Sequence, residues 1–135
     1  MVNQQQQVRR GASWLLDVAH NPAAAQVLAA ELGAAARVAR TIAVFGMLAD
    51  KDVAGVAQAL DEFVDHWCLC DLGEARGLAA AQLQQRMGTL RGSFELCGPV
   101  ASACARASAL ATDSDRIVVC GSFHVVGPAL DFLGL

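Results

Sequence analysis

Few side chains in this sequence can do chemistry, and they gather at three joints. Asp17, His20 and Asn21 stand together in DVAHNP, just ahead of Pro22. Lys51, the only lysine in the chain, sits between Asp50 and Asp52 in FGMLADKDVAG (45–55). Ser122 and His124 follow Gly121 in RIVVCGSFHVVG (116–127). A carboxylate such as Asp17 accepts bonds from sugar hydroxyls, and an imidazole such as His20 donates to a phosphate or a carboxylate. The Lys51 ammonium can pair with a carboxylate substrate. Ser122, with the first N–H groups of a helix, can hold another carboxylate, and His124 lies in that helix's first turn. Each group also has a purely structural use. Asp17 can order its own loop through backbone N–H groups while His20 lies on the surface, Lys51 can be solvated, and Ser122 can be a helix cap beside a packed histidine.

Other chemistries lack their patterns. A P-loop needs glycine directly before the lysine and serine or threonine after it, whereas Lys51 has aspartates on both sides. No glycine-rich GxGxxG follows a strand, which argues against a dinucleotide module. Cys68 and Cys70 share one strand face but have no second pair at metal-ligand spacing, so no metal site is read here. Cys97, Cys104 and Cys120 read as core or helix-face thiols.

Elements must position these joints. Four apolar runs stand out: WLLDV (14–18), TIAVFGML (41–48), HWCLC (66–70) and RIVVC (116–120). They are too continuous for a half-exposed sheet and predict strands covered on both faces. SFEL (93–96) is a weaker candidate. Helical spacing lies between them: Pro22 to Gly33, capped by Asn21, with Val27, Leu28 and Leu32 inward; Val53 to Val64, capped by Asp52, with Val56, Ala59, Leu60 and Phe63 inward. Leu78 to Met87, Pro99 to Ala111 and a segment after Ser122 complete the set, with Pro128 predicting a kink or restart in the last. GEARG (73–77) and GTLRG (88–92) read as loops. The QQQQV stretch is either an edge strand turning back antiparallel through RRGA (9–12) or a frayed linker. Alternating strands and helices give right-handed βαβ units and an α/β fold with a mainly parallel sheet. In such sheets ligands gather beyond the carboxyl ends of the strands, where all three joints fall.

Length and composition set limits. The 135 residues suit one domain. They are 55% hydrophobic and 17% charged, a balance that excludes disorder. A formal charge of −3 gives no electrostatic reason for a nucleic-acid or anionic-membrane partner. No run is long enough for a transmembrane helix and the start lacks the apolar stretch of a secretory signal. Five cysteines form no disulfide framework, and a reduced, cytoplasmic protein is expected.

DVAHNP (17–22), GMLADKD (46–52) and GSFHVVG (121–127), in this order and spacing, resemble the C-terminal domain of the bacterial bifunctional dihydrofolate synthase/folylpolyglutamate synthases, members of the Mur ligase superfamily. The resemblance runs from about residue 4 to 135, and WLLDVAHNP is especially close to the family pattern. It implies a Rossmann-like three-layer α/β sandwich, with mostly parallel strands and an antiparallel N-terminal edge strand, and one such glutamate ligase domain over 1–135. It implies an ATP-dependent amide ligase joining L-glutamate to dihydropteroate or folates through an acyl phosphate, with ATP and Mg2+ held mainly by an N-terminal ATPase domain that these residues do not include. Asp17, His20 and Asn21 then look like nucleotide contacts, with His20 also catalytic. Lys51, Ser122 and, less directly, His124 look like the glutamate binders. The domain alone is expected to be inactive. Two alternatives are the equivalent domain of a muramyl-peptide ligase and a non-catalytic α/β interaction module.

Overall fold

A computed structural model describes residues 5–135. Gln4, first of the four glutamines, lies outside them. Six strands form one sheet: β1 (Gln5–Arg10), β2 (Ala12–Asp17), β3 (Thr41–Phe45), β4 (His66–Asp71), β5 (Ser93–Pro99) and β6 (Arg116–Cys120), in the spatial order β1-β2-β6-β3-β4-β5. β1 pairs antiparallel with β2, Gln5 opposite Asp17, and every other pairing is parallel. The edge-strand alternative for the glutamine stretch is therefore the observed one. Gly11 makes the turn at a positive φ of 69°, a conformation glycine adopts without steric cost.

Five helices cover the sheet: α1 (Pro22–Ala34), α2 (Val53–Asp61), α3 (Ala80–Met87), α4 (Val100–Leu110) and α5 (Phe123–Leu133). α1, α2 and α3 pack on one face with Leu15, Ala43, Phe45, Trp67, Leu69 and Val118. α4 and α5 pack on the other with Trp14, Leu16, Ile42, Val44, Cys68, Cys70 and Val119. Strict alternation along each strand divides the side chains between these two cores. Each buried Leu- or Phe-sized side chain contributes roughly 1.5–3 kcal/mol.

Two details differ from the sequence reading. Val27 is 62% exposed, and the buried stripe of α1 is Ala25, Leu28, Ala29 and Leu32. An i, i+3, i+4, i+7 series starting at Ala25 leaves Val27 on the flank, and small alanines let α1 sit close to the sheet. α5 runs unbroken through Pro128 with no restart. The missing N–H costs only a bond to the His124 carbonyl, one turn from the helix start.

β2 and β6 are neighbours, yet the helices that follow them leave to opposite faces. That is a topological switch point, and it places a crevice at the carboxyl ends of β2, β6 and β3.

Candidate functional site

Three loops meet at that crevice. The Gly121 N–H donates to the Ala19 carbonyl at 3.0 Å, tying the loop after β6 to the loop after β2. Gly121 has φ +110°, and a Cβ there would lie 2.2 Å from the Gly46 carbonyl oxygen, so the loops after β6 and β3 touch backbone to backbone. A Cβ on Gly55 would lie 2.7 Å from Pro22 Cγ, so the first turns of α1 and α2 abut as well. Asp17, His20, Lys51, Ser122 and His124 are all carried by this one rim.

Asp17 is half-buried at the end of β2. Its Oδ1 accepts the Ala19 N–H at 2.8 Å, and its Oδ2 accepts from Gln5 Nε2 at 2.6 Å. The loop-ordering use of Asp17 is thus real, and one oxygen faces a replaceable amide from the edge strand. His20 Nδ1 lies 2.9 Å from the Val18 carbonyl. A carbonyl only accepts, so Nδ1 carries the proton and Nε2 points elsewhere. The ring stands 6.4 Å, centroid to centroid, from that of exposed Phe123. The Asn21 side chain caps α1, its Oδ1 accepting the Ala24 N–H at 2.8 Å. Pro22 takes the first helical position, where its missing N–H is not needed.

Lys51 is half-buried, and among the described residues no ion pair or hydrogen bond engages its ammonium. Both flanking acids are spent: Asp52 caps α2 through the Gly55 N–H at 2.9 Å, and Asp50 pairs with Arg76. Ser122 is 4% exposed and caps α5, its Oγ accepting the His124 N–H at 3.0 Å, which leaves its own hydroxyl proton to donate. The N-termini of α1 and α5 add partial positive charge. His124 Nδ1 lies 3.2 Å from Glu74 Oε1, so its ring is tied to the loop after β4.

Sequence reasoning missed Gln5 as the partner of Asp17 and the acid and base of GEARG as partners of the rim. The alternation of Glu74 and Arg76 between glycines was the available signal. Burial pushes the Cys104 thiol up to about 12 and raises Cys68, Cys70, Cys97 and Cys120 as well, so none presents a thiolate.

The Mur ligase, glutamate ligase domain profile matches residues 3–123. The chain belongs to this family. As a glutamate ligase domain it is 40% identical over 119 residues to the dihydrofolate synthase/folylpolyglutamate synthase of Escherichia coli and 34% identical over 116 residues to that of Haemophilus influenzae. These matches cover 88% and 83% of this chain but only 27% and 26% of the relatives. The ligase domain superposes on the E. coli FolC structure in complex with DHPP and ADP with TM-score 0.88 and 37% identity, covering 96% of this chain and 30% of that one. It also superposes on a bifunctional folylpolyglutamate synthase/dihydrofolate synthase with Mn, AMPPNP and L-glutamate bound, with TM-score 0.87 and 36% identity, covering 100% of this chain and 32% of that one. The α/β fold inferred from the motifs is the fold of those C-terminal domains.

Proposed function

We propose that this domain closes over the nucleotide and holds L-glutamate in an ATP-dependent ligase that extends dihydropteroate or folates. The observation that carries the reading is the convergence on one rim of the three loops bearing Asp17, His20, Lys51 and Ser122, with the Lys51 ammonium unengaged among the described residues. The relatives' complexes with ADP, AMPPNP and L-glutamate support the ligand classes.

In this reading the substrate carboxylate takes the terminal phosphoryl group of ATP, giving an acyl phosphate and ADP. The glutamate amine then attacks the acyl carbon, an amide forms and phosphate leaves. Asp17 Oδ2 exchanges the Gln5 amide for a ribose hydroxyl, and Asn21 orders the turn that aims the α1 N-terminus at phosphate. His20, its ring fixed by the Nδ1 bond to the Val18 carbonyl, presents Nε2 to the terminal phosphate and the incoming amino acid. Lys51 and the Ser122 hydroxyl take the glutamate carboxylates, with His124 beside them. The contribution is positioning, charge stabilisation and exclusion of water from the acyl phosphate.

Among the described residues no group of three His, Cys, Asp or Glu side chains is placed to hold a metal ion. The donor set here does not fit Mg2+, and no step is assigned to a metal. The P-loop and metal ligands belong to an N-terminal ATPase domain, the partner this rim closes on. Five free thiols suit a cytoplasmic, reducing setting. No helix of the described residues is long and apolar enough to cross a membrane.

The test uses the full-length protein. Lys51→Ala is expected to raise KM for glutamate at least about tenfold while KM for ATP stays put, since an ion pair to substrate is lost and the fold is untouched. An unchanged glutamate KM would sink the reading. Turnover with muramyl substrates in place of pteroates would move the domain to the cell-wall branch.

A further inference from the structure

The loop that presents Lys51 has little support of its own. Within residues 46–52 its only internal bond is Lys51 N–H to the Leu48 carbonyl at 3.3 Å. The Val53 N–H at the start of α2 adds a bond to the Lys51 carbonyl at 3.0 Å, and the rest comes from the β4–α3 connection and from α3. The Ala49 N–H donates to the Arg76 carbonyl at 2.6 Å, and the Leu78 N–H donates to the Met47 carbonyl at 3.2 Å. Leu48 and Gly77 form an antiparallel bridge. A Cβ on Gly77 would lie 2.3 Å from the Leu72 carbonyl oxygen, so only glycine lets this connection fold back so tightly. The Arg76 guanidinium pairs with the Asp50 carboxylate. Arg86, on α3, spans two carbonyls of the loop: Nη1 donates to Ala49 at 2.8 Å and Nη2 to Lys51 at 3.2 Å. From the same connection, Glu74 reaches His124 on α5.

We propose that this segment, through Glu74, Arg76 and above all Arg86, is the positioning element for the amino-acid substrate, setting Lys51 and the first turn of α5 at a fixed separation. The proposal rests on the glutamate-binding reading of Lys51. The elements it joins leave opposite faces of the sheet: α2 follows the Lys51 loop on one face, and α5 carries Ser122 and His124 on the other. The sheet alone does not fix the tips of these loops. A planar guanidinium bridging two carbonyls two residues apart does so for the Lys51 backbone, and a lysine, with donors at a single point, cannot reproduce both bonds. Binding groups must be held to within about 0.5 Å for full effect, so loosening the loop shows in substrate binding before it shows in stability.

The experiment compares variants of the full-length protein under varied glutamate and varied ATP. Arg86→Ala is expected to raise KM for glutamate about tenfold, with KM for ATP within about twofold of the parent, because the displaced group is Lys51 alone. Arg86→Lys restores one of the two bonds and is expected to recover part of the loss. Glu74→Gln, which keeps its hydrogen-bonding shape, gives a smaller shift in the same constant. A purely structural Arg86 would lower the unfolding temperature and leave glutamate KM alone. If Arg86→Ala behaves that way while Lys51→Ala raises glutamate KM, the positioning role is overturned and the binding role of Lys51 stands. If Lys51→Ala itself has no effect, the binding reading falls and takes the positioning role with it. Should Arg86→Ala not fold, Arg86→Lys and Glu74→Gln decide by the same split, an unchanged glutamate KM in both refuting the proposal.

Discussion

The two ends of the sheet make the sharpest contrast in the molecule. The amino end holds the roomier hollow, a cleft of about 460 Å3 lined by Arg9, Ser13, Arg37, Asp113, Asp115 and Arg116 among others. The carboxyl end has a cleft of about 270 Å3 between Gln5, Val18 and Phe123, beside the rim that bears the motif residues. Volume alone would choose the amino end. At the amino end most polar groups are spent on one another, Arg37 and the buried Arg116 Nε excepted. Asp115, 2% exposed, accepts from the Thr112 N–H at 2.8 Å and from Arg40 at 3.2 Å. Asp65 accepts the Thr41 N–H at 2.9 Å and pairs with Arg91. Arg9 is bonded to the carbonyls of Gly11 and Asp113. His66, farther along, sits between Ser93 Oγ and Glu95 Oε2, each at 2.7 Å, and Arg106 closes the chain. The segments that follow the C-termini of α1 and α4 line this cleft, so the partial negative charge of those helix ends disfavours anions. At the carboxyl end the helices begin, and Lys51, His20 Nε2 and the Ser122 hydroxyl proton remain to be used. Unspent groups in a field of the right sign, not empty space, distinguish a site from a seam.

The largest expected effect strikes the carboxyl end through its backbone. Gly121→Val would need a side chain at φ +110° and a Cβ 2.2 Å from the Gly46 carbonyl oxygen. A loss of more than about 3 kcal/mol of stability is expected, together with loss of turnover, since the three loops separate. Thermal unfolding followed by circular dichroism would check it, and a variant of parental stability would show that the loops do not depend on this contact.

The amino end is expected to answer differently. Asp115→Ala strands the Thr112 N–H and Arg40, and should cost about 2–3 kcal/mol while leaving KM for both substrates unchanged in the folded fraction. Burial pushes the Asp115 carboxyl up, but the Thr112 N–H and the Arg40 guanidinium outweigh it and hold it below the ordinary carboxylate range. A depressed carboxylate stabilises the fold above its unfolded value near pH 4, and that stability is lost as pH falls through the folded value. Asp115→Asn should therefore flatten the stability profile below about pH 4. An unaltered acid limb would remove Asp115 from the account of stability.

How much of this contrast was legible beforehand follows from what each signal depends on. Strands β3, β4 and β6 and the caps Asn21, Asp52 and Ser122 are local in origin: apolar runs and N-cap chemistry need no knowledge of the partner. The edge strand β1 stayed open because QQQVRR is polar and its pairing is decided only by β2. Val27 was misplaced because a 12-residue window allows two neighbouring stripes, and only contact with the sheet selects one. The three motif joints could be assigned to one rim from strand direction alone. Their mutual fixing could not, since the Gly121–Gly46 contact and the Arg86 fork join residues far apart in the chain.

A milder change tests the proposed division of the rim between nucleotide and amino acid. Asp17→Asn keeps the acceptor for the Ala19 N–H and replaces the charged, accepting second oxygen with a donating NH2. KM for ATP is expected to rise about tenfold, with glutamate KM moving far less, because one charged hydrogen bond to a hydroxyl is weakened. Equal shifts in both constants would mean that Asp17 acts by shaping the loop and not by touching the nucleotide.

The smallest expected effect is the one that can break the comparison outright. Arg37 lines the clefts at the amino end, is exposed, and engages no hydrogen bond or ion pair among the described residues. It has the same freedom as Lys51, and on side-chain chemistry alone would be the better anion ligand. What it lacks is context. It follows the C-terminus of α1, where the helix field opposes an anion, and it shares its cleft with the acids Glu31, Asp113 and Asp115 as well as with Arg9 and Arg116. Arg37→Ala should leave both KM values and the melting temperature unchanged. A rise in glutamate or ATP KM would show that the amino end takes part in the reaction, and helix direction would no longer suffice to tell the two ends apart.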